Sequence, residues 1–167
     1  MPIDPGKLRP AKFLQQTLDR ELPNLRSLTE EQASAPPAKP GAWTRKQELG
    51  HLLDSAANNH IRFVRAALEG SYDGPGYAQD DWVKLHAWQD LPWSTLVEWW
   101  GHYNSLLVHL VSQIPHDKME FPCVVGGSSP VTLQFLIEDY TLHMQHHVDH
   151  LLSREKITQY PGALLGV

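Results

Sequence analysis

Four histidines lie within eight residues in the second half of the chain, in the order His143, His146, His147 and His150. Neither Gly nor Pro interrupts the sequence from Val131 to Ile157, so the cluster is predicted to lie on a helix of about seven turns. Imidazole is a common ligand of zinc and other transition metals, and two histidines four residues apart on a helix can bind one ion. The cluster is therefore a candidate metal site.

The cluster contains two pairs with this spacing, and the spacing alone does not choose between them. His143 and His147 form one pair, and His146 and His150 form the other, about 80–100° around the helix. The first pair shares an apolar stripe of helical period with Leu136, Tyr140 and Leu151. The stripe favours His143 and His147 as the pair that faces the core.

The same histidines also have interpretations without a metal. A histidine on an apolar face is commonly a core residue with one satisfied hydrogen bond, and histidine pairs also occur on solvated or pH-sensitive faces. Two inward imidazoles need polar partners, because burying an unpaired polar group is costly. A metal ion would be one such partner.

The composition is that of a soluble globular protein. We predict a single domain over residues 1–167, which is long enough to bury a sizeable core. The net charge is −5 and no basic cluster is present, which argues against nucleic-acid binding. No apolar run approaches the length of a membrane span, which argues against a membrane partner.

Cysteine usage and the first residues indicate the compartment. Cys123 is the only cysteine, so the chain forms neither an internal disulfide nor a thiolate metal cluster. The first residues lack the charged and apolar regions of a signal peptide. Both features suit a cytoplasmic location, and they leave imidazole and oxygen as ligands for any metal.

Helical periodicity predicts a first helix over residues 8–27 and a second over residues 44–69. Pro23 lies inside the first helix and predicts a kink or an early break. Thr44 and Gln47 form a capping box at the start of the second. His51 lies two turns into this helix, beside its apolar face.

A third helix is predicted over residues 94–113, where Thr95 and Glu98 match a second capping box. The last helix carries the histidine cluster, and Thr132 is its predicted cap. Four helices of this kind predict an all-α four-helix bundle, a fold that often places metal sites between facing helices.

Three segments connect the predicted helices. Residues 29–43 contain several prolines and are predicted to form a loop. Residues 70–92 form a long connection between the second and third helices, with a short helix within residues 78–88. Residues 121–131 are predicted to form a small β-hairpin before the last helix, turning on Gly126-Gly127.

Three parts of the sequence resemble one protein family. Gly41–Ser55 resembles the Gly-x-Trp…His-Leu-x-Asp-Ser segment of DinB-like proteins, and Asn58–Phe63 and Tyr77–Trp82 continue the likeness. Tyr140–His147 resembles the second motif of the family, Tyr-x-x-His-x-x-x-His. The resemblance covers Leu8–Leu152 and is greatest to the YfiT-like branch, which is described as metal-dependent hydrolases and includes bacillithiol S-transferases.

The resemblance implies that His51, His143 and His147 are the three metal ligands. It also implies the DinB arrangement of the four-helix bundle and a homodimer. His146 matches a histidine of this branch that is not a ligand, whereas the role of His150 stays open. We expect one divalent metal ion per chain, with zinc as the default for imidazole ligands and nickel or manganese as alternatives.

Three protein ligands leave a fourth metal position open, which is typical of catalytic rather than structural zinc. The favoured function is transfer of a low-molecular-weight thiol, such as a bacillithiol-like thiol, to an electrophilic small molecule. The first alternative is a hydrolase that uses a metal-bound water, and the second is a non-catalytic metal-binding or ligand-binding bundle. Met144 and Gln145 follow His143, so the His-Glu-x-x-His general base of metalloproteases is missing.

Several other side chains are candidates for supporting roles. Asp54, Asp139 and Asp149 are near the predicted ligands in sequence and could orient an imidazole, although we expect at least two of them to be solvated. Tyr140 is expected to be a packed core residue, with a hydrogen bond to substrate as the alternative. An electrophile is expected to enter under the connection at residues 70–92 and to contact its aromatic side chains, Tyr77 and Trp82.

Overall fold

The computed structural model describes residues 9–158 and residue 160. Four long helices form the bundle, and their bounds are α1 Pro10–Arg26, α3 Arg45–Glu69, α5 Trp93–Gln113 and α6 Leu133–Leu151. Two shorter helices are α2 Glu30–Ser34 and α4 Gln79–His86, and two 3-10 turns are Trp88–Asp90 and His116–Glu120. The prediction of a four-helix bundle is confirmed.

The four long helices surround one apolar core. α1 and α3 each pack against both α5 and α6, so α1 lies diagonally opposite α3. Each helix contributes fully buried side chains, among them Leu14, Leu49, Phe63, Trp100, Leu107, Leu133 and Leu136. The contact between α3 and α6 brings His51 close to the histidine cluster.

Both ends of α3 match the sequence prediction. The Thr44 hydroxyl accepts from Gln47 N, and the Gln47 side chain accepts from Thr44 N, which completes the predicted capping box. Gly70 ends the helix with a left-handed φ of 84°, a conformation that glycine adopts without a Cβ penalty. α6 likewise begins as predicted, with Thr132 accepting from Phe135 N at 3.1 Å.

The start of α5 differs from the prediction. The helix begins at Trp93 after Pro92, and the expected capping box at Thr95 does not form. The reason is tertiary, because Trp93 N donates to Glu30 Oε2 at 2.7 Å and Trp93 Nε1 donates to Leu25 O at 3.0 Å. A carboxylate from another helix therefore accepts from a backbone N–H group in the first turn of α5, which has no partner within the helix.

The end of α6 also differs from the prediction, since the helix stops at Leu151 rather than near Ile157. Ser153 adopts a left-handed φ of 52°, which turns the chain out of the helix. Asp149 Oδ2 then accepts from the backbone N–H groups of Ile157 and Thr158, both at 3.0 Å. These bonds hold the following segment against the side of the helix.

Two smaller predictions about the first part of the chain need correction. α1 runs through Pro23 as one helix, so the early break does not occur, whereas the kink that was predicted as the other outcome stays a prediction. Residues 29–43 are not all loop, because α2 begins after Thr29 with a capping box to Gln32. A helix of five residues is too short to produce a periodic apolar signal.

A small three-stranded sheet closes one end of the bundle, with strands β1 Tyr72–Gly74, β2 Pro122–Val125 and β3 Val131–Thr132. β2 and β3 form the predicted antiparallel hairpin, with Gly126 and Gly127 at positive φ in the turn. β1 pairs with β2 in parallel, and the sequence analysis missed it. A strand of three residues has too few positions to show alternation.

The connection between α3 and α5 folds back along α3. It contains the predicted short helix as α4, and its Trp88 packs directly on Gly50 of α3. Among the described residues, no helix combines the length and apolarity that crossing a membrane would need. The single-domain organisation over residues 1–167 stays a prediction.

Gly50→Ala is predicted to destabilise the protein, although alanine is normally the better helix former. A Cβ at this position would lie 2.1 Å from Cγ of Trp88, so the indole would have to move. We expect the free energy of unfolding to fall by about 1–3 kcal/mol, measured by chemical denaturation.

Gly101→Ala is the matched control for this substitution. Its added Cβ would meet Cδ1 of Leu22 at 3.1 Å, which is the end of a flexible side chain. We expect a change smaller than about 1 kcal/mol, because helix propensity offsets the contact. A Gly50→Ala protein as stable as Gly101→Ala would contradict the packing of Trp88.

Candidate metal centre

The structure brings the three predicted ligands together at the contact between α3 and α6. His51 comes from α3, and His143 and His147 are one turn apart on α6. One ring nitrogen from each lies within 4.8 Å of the others, a group that could hold a metal ion. His51 and His143 are buried, and the His147 side chain is 19% exposed, so the group is accessible from the His147 side.

The spacing of the imidazoles suits a small ion. His51 Nε2 and His143 Nε2 are 3.3 Å apart, and the three pairs of ring centroids are separated by 4.5–5.2 Å. Two nitrogens bound to one tetrahedral zinc ion at normal bond lengths would be about 3.3–3.4 Å apart. The donor set and the distance between His51 and His143 therefore fit a divalent transition metal.

Burial keeps the imidazoles in the form that binds metal. Burial, together with the neighbouring His147, lowers the pKa of His51 to about 3. Burial also holds the pKa of His143 well below its ordinary value, with His147 and His51 adding to the effect. At neutral pH both rings are uncharged, so each has a lone pair available for coordination.

Glu48 is the carboxylate that orients His147, and the sequence analysis missed it. Its Oε1 lies 3.0 Å from His147 Nδ1 and 2.8 Å from His150 Nδ1, although Glu48 itself is only 4% exposed. With Nδ1 of His147 paired to Glu48, Nε2 is the nitrogen left for a metal. The available signal was the spacing of three residues between Glu48 and His51, which places both on one face of α3.

The three aspartates considered from the sequence have other roles. None is more than 3% exposed, so the expectation that two would be solvated is wrong. Asp54 accepts from Trp88 Nε1 at 3.1 Å, and Asp149 accepts from Arg154 Nε at 2.8 Å. Burial raises the pKa of Asp139 to about 6, and its side chain faces that of Tyr160.

The remaining candidates lie beside the group or away from it. His146 is outside the group and packs its ring 5.7 Å from Tyr160. Tyr140 is a buried core residue whose hydroxyl donates to Asn104 Oδ1 at 2.6 Å. His60, further along α3, lies 3.2 Å from the Tyr103 hydroxyl.

An open cavity of about 340 Å³ leads to the His147 side of the group. Its lining comes from three segments of the chain and consists of Gly41, Ala42, Trp43, Glu48, Asp80, His146, His147 and His150. The Trp43 ring covers His51, with 4.8 Å between ring centroids. The connection between α3 and α5 contributes Asp80 to this lining, whereas the expected contact residues Tyr77 and Trp82 are not part of it.

Comparison with known proteins agrees with these features. Residues 14–151 match the model of the DinB superfamily. The chain belongs to the DinB superfamily. A Bacillus mycoides protein with a proposed metal-dependent hydrolase function is 27% identical over 152 residues, covering 87% of this chain and 86% of that protein. A Bacillus cereus protein with the same proposed function is 26% identical over 141 residues, covering 81% of this chain and 80% of that protein.

Two solved structures share the fold. YfiT from Bacillus subtilis, described as a candidate metal-dependent hydrolase with an unusual four-helix bundle topology, aligns with a TM-score of 0.72 at 22% identity, covering 88% of this chain and 86% of YfiT. A mycothiol-dependent maleylpyruvate isomerase aligns with a TM-score of 0.69 at 12% identity, covering 94% of this chain and 63% of the isomerase. The resemblance to the DinB and YfiT-like proteins is therefore confirmed.

The buried histidines predict that metal-free protein loses stability in acid. The unfolded chain has ordinary histidine pKa values near 6.5, whereas burial keeps the pKa of His51 at about 3 in the folded state. The unfolded state therefore binds protons that the folded state does not. The free energy of unfolding should be greatest above about pH 6.5 and should fall by about 1.4 kcal/mol per pH unit for each such histidine as the pH approaches 3.

Chemical denaturation of chelator-treated protein at several pH values measures this slope. His51→Gln removes one of the titrating groups, so its slope between about pH 6 and 4 should be smaller by up to about 1.4 kcal/mol per unit. His109→Gln is the control, because His109 is exposed on α5. An unchanged slope in His51→Gln would show that His51 is not a buried neutral group.

Proposed function

We propose that this protein is a divalent-metal-dependent enzyme whose metal ion is held by His51, His143 and His147. The observation that carries the proposal is the group of three ring nitrogens within 4.8 Å beside an open cavity. We propose one ion per chain, with zinc as the first choice and nickel or manganese as alternatives. A divalent ion bound there would act as a Lewis acid and lower the pKa of a coordinated thiol or water.

The surrounding residues have separate tasks in this proposal. Glu48 fixes the ring orientation of His147 through Nδ1. Trp43 covers His51 and excludes water from that side of the group. The cavity beside His147 gives a small molecule access to the remaining side.

We favour transfer of a low-molecular-weight thiol over hydrolysis. The thiolate sulfur would form a bond to an electrophilic carbon, and the leaving group would depart with the electron pair. Met144 occupies the position where a metalloprotease helix has its general base, but it is buried and its thioether is not a base. The next residue, Gln145, donates to Thr17 Oγ1 at 2.7 Å. A coordinated thiol needs no such base, and the structural neighbour named for its dependence on mycothiol also supports thiol chemistry.

Hydrolysis is the second candidate, and one contact favours it. His150 is 67% exposed at the edge of the cavity, and its Nδ1 lies 2.8 Å from Glu48 Oε1. A carboxylate-oriented imidazole at this place could remove a proton from an attacking water. The proposed functions of the Bacillus relatives agree with this alternative.

A homodimer and a cytoplasmic location stay predictions.

Metal analysis tests the ligand set. We expect about one divalent ion per purified chain. His51→Ala, His143→Ala and His147→Ala should lose the ion, since two imidazoles hold it poorly. Glu48→Gln should keep all three ligands but bind the ion about 10–100-fold more weakly, because a neutral amide orients His147 less strongly than the carboxylate does.

His146→Ala and His60→Ala are the matched controls, since both remove a histidine from the same two helices. Both should retain the ion, because neither side chain belongs to the group of three nitrogens. Full occupancy in His51→Ala or His147→Ala would contradict the assignment. Loss of the ion in His146→Ala, with circular dichroism unchanged, would show that the other histidine pair binds it.

A turnover assay tests the reaction type. Metal-loaded protein should consume chromogenic electrophiles only when a small thiol is present, because the thiol is the nucleophile. Activity should disappear on chelation and return when the ion is added back. Equal turnover with and without thiol would favour hydrolysis, and no turnover over a broad panel of thiols and electrophiles would favour a binding function.

A further inference from the structure

A second cavity, of about 420 Å³, lies between α3, α4 and α5. Aromatic rings supply much of its wall, namely Trp82, Trp88, Trp99 and Tyr103. The residues that line it differ from those that line the opening beside His147. Its volume lies in the range of small-molecule sites, and Trp99 is left 48% exposed at its edge.

One polar group is built into this aromatic wall. Asp54 lines the cavity from α3 and is only 2% exposed. Its Oδ1 lies 2.9 Å from His86 Nδ1, and its Oδ2 accepts from Trp88 Nε1 at 3.1 Å. Both carboxylate oxygens are therefore occupied by donors from the connection between α3 and α5.

The pairing with Asp54 defines what His86 can offer to a ligand. Because Nδ1 donates to the carboxylate, the neutral imidazole has an acceptor at Nε2. The ring also packs 4.6 Å from Trp88 and 5.9 Å from Trp82, measured between ring centroids. The His86 side chain is 43% exposed, yet Asp54 and the two tryptophans hold its ring in one orientation.

We propose that this cavity is a second small-molecule site, which binds a planar aromatic molecule that carries a hydroxyl or N–H donor and no negative charge. The aromatic walls would bury the ring system, and His86 Nε2 would accept a hydrogen bond from the donor. The Asp54 carboxylate disfavours an anionic ligand, because like charges repel each other. No lysine or arginine is among the lining residues to offset this repulsion. This site needs no metal ion, so the proposal is independent of the proposed enzyme activity.

Binding to chelator-treated full-length protein tests the site, using four bicyclic probes that differ in their polar group. Naphthol supplies a hydroxyl donor, indole supplies an N–H donor, N-methylindole lacks a donor, and naphthoate carries a negative charge. Calorimetry should show that naphthol and indole bind. N-methylindole should bind about three- to tenfold more weakly than indole, and naphthoate at least about tenfold more weakly than naphthol.

His86→Ala should reduce the affinity for indole about three- to tenfold and leave that for N-methylindole nearly unchanged. His109→Ala is the control, because this exposed histidine of α5 is outside the cavity lining. In wild-type protein, the ring nitrogen resonances should identify the Nδ1-protonated form of His86, and indole should shift its Nε2 resonance. This measurement does not depend on the folding of a variant.

Four results would overturn the proposal. Two of them are equal affinities, either for indole and N-methylindole or for naphthol and naphthoate. The third is an unchanged preference for indole over N-methylindole in folded His86→Ala protein. The fourth is that no probe binds at millimolar concentration. If any of these results is obtained while metal content and turnover are as proposed, only the proposal of a second site is wrong. Loss of metal binding with intact probe binding would remove only the proposed enzyme function.

Discussion

The contact between α3 and α6 is the constraint on which the candidate metal centre depends. His51 must lie opposite His143 and His147, and a shift of either helix by one residue would rotate its side chains by about 100°. Glu48 adds a directional contact to the packing of these helices, because it reaches from α3 to His147 beside the group of three histidines.

Much of the inward face of α3 is polar, and hydrogen bonds within the helix and to the connection that follows it compensate for this burial. Asn59 donates to Ser55 O at 2.9 Å, and Arg62 Nη2 lies 3.4 Å from Pro75 O in the connection to α5. Asp54 is paired with His86 and Trp88 of the same connection. The connection thus satisfies polar groups that the helix itself buries, which explains why it lies along α3 rather than in solvent.

The sequence by itself determined the features that depend on neighbouring residues. Apolar periodicity predicted the four long helices, and Thr44 with Gln47 predicted the start of α3. Gly126-Gly127 predicted the hairpin turn, because glycine adopts positive φ at little cost. The spacing of His143 and His147, combined with the apolar stripe, indicated the pair on α6, and the family resemblance added His51.

Only the tertiary structure decided the features that depend on partners far apart in the chain. The role of Glu48 requires His147, 99 residues later, and the start of α5 at Trp93 requires Glu30, 63 residues earlier. The burial of Asp54 likewise depends on Trp88, 34 residues later. A carboxylate has the same local sequence signal whether it is solvated or buried, because its partners are chosen by helix packing and not by its neighbours in sequence.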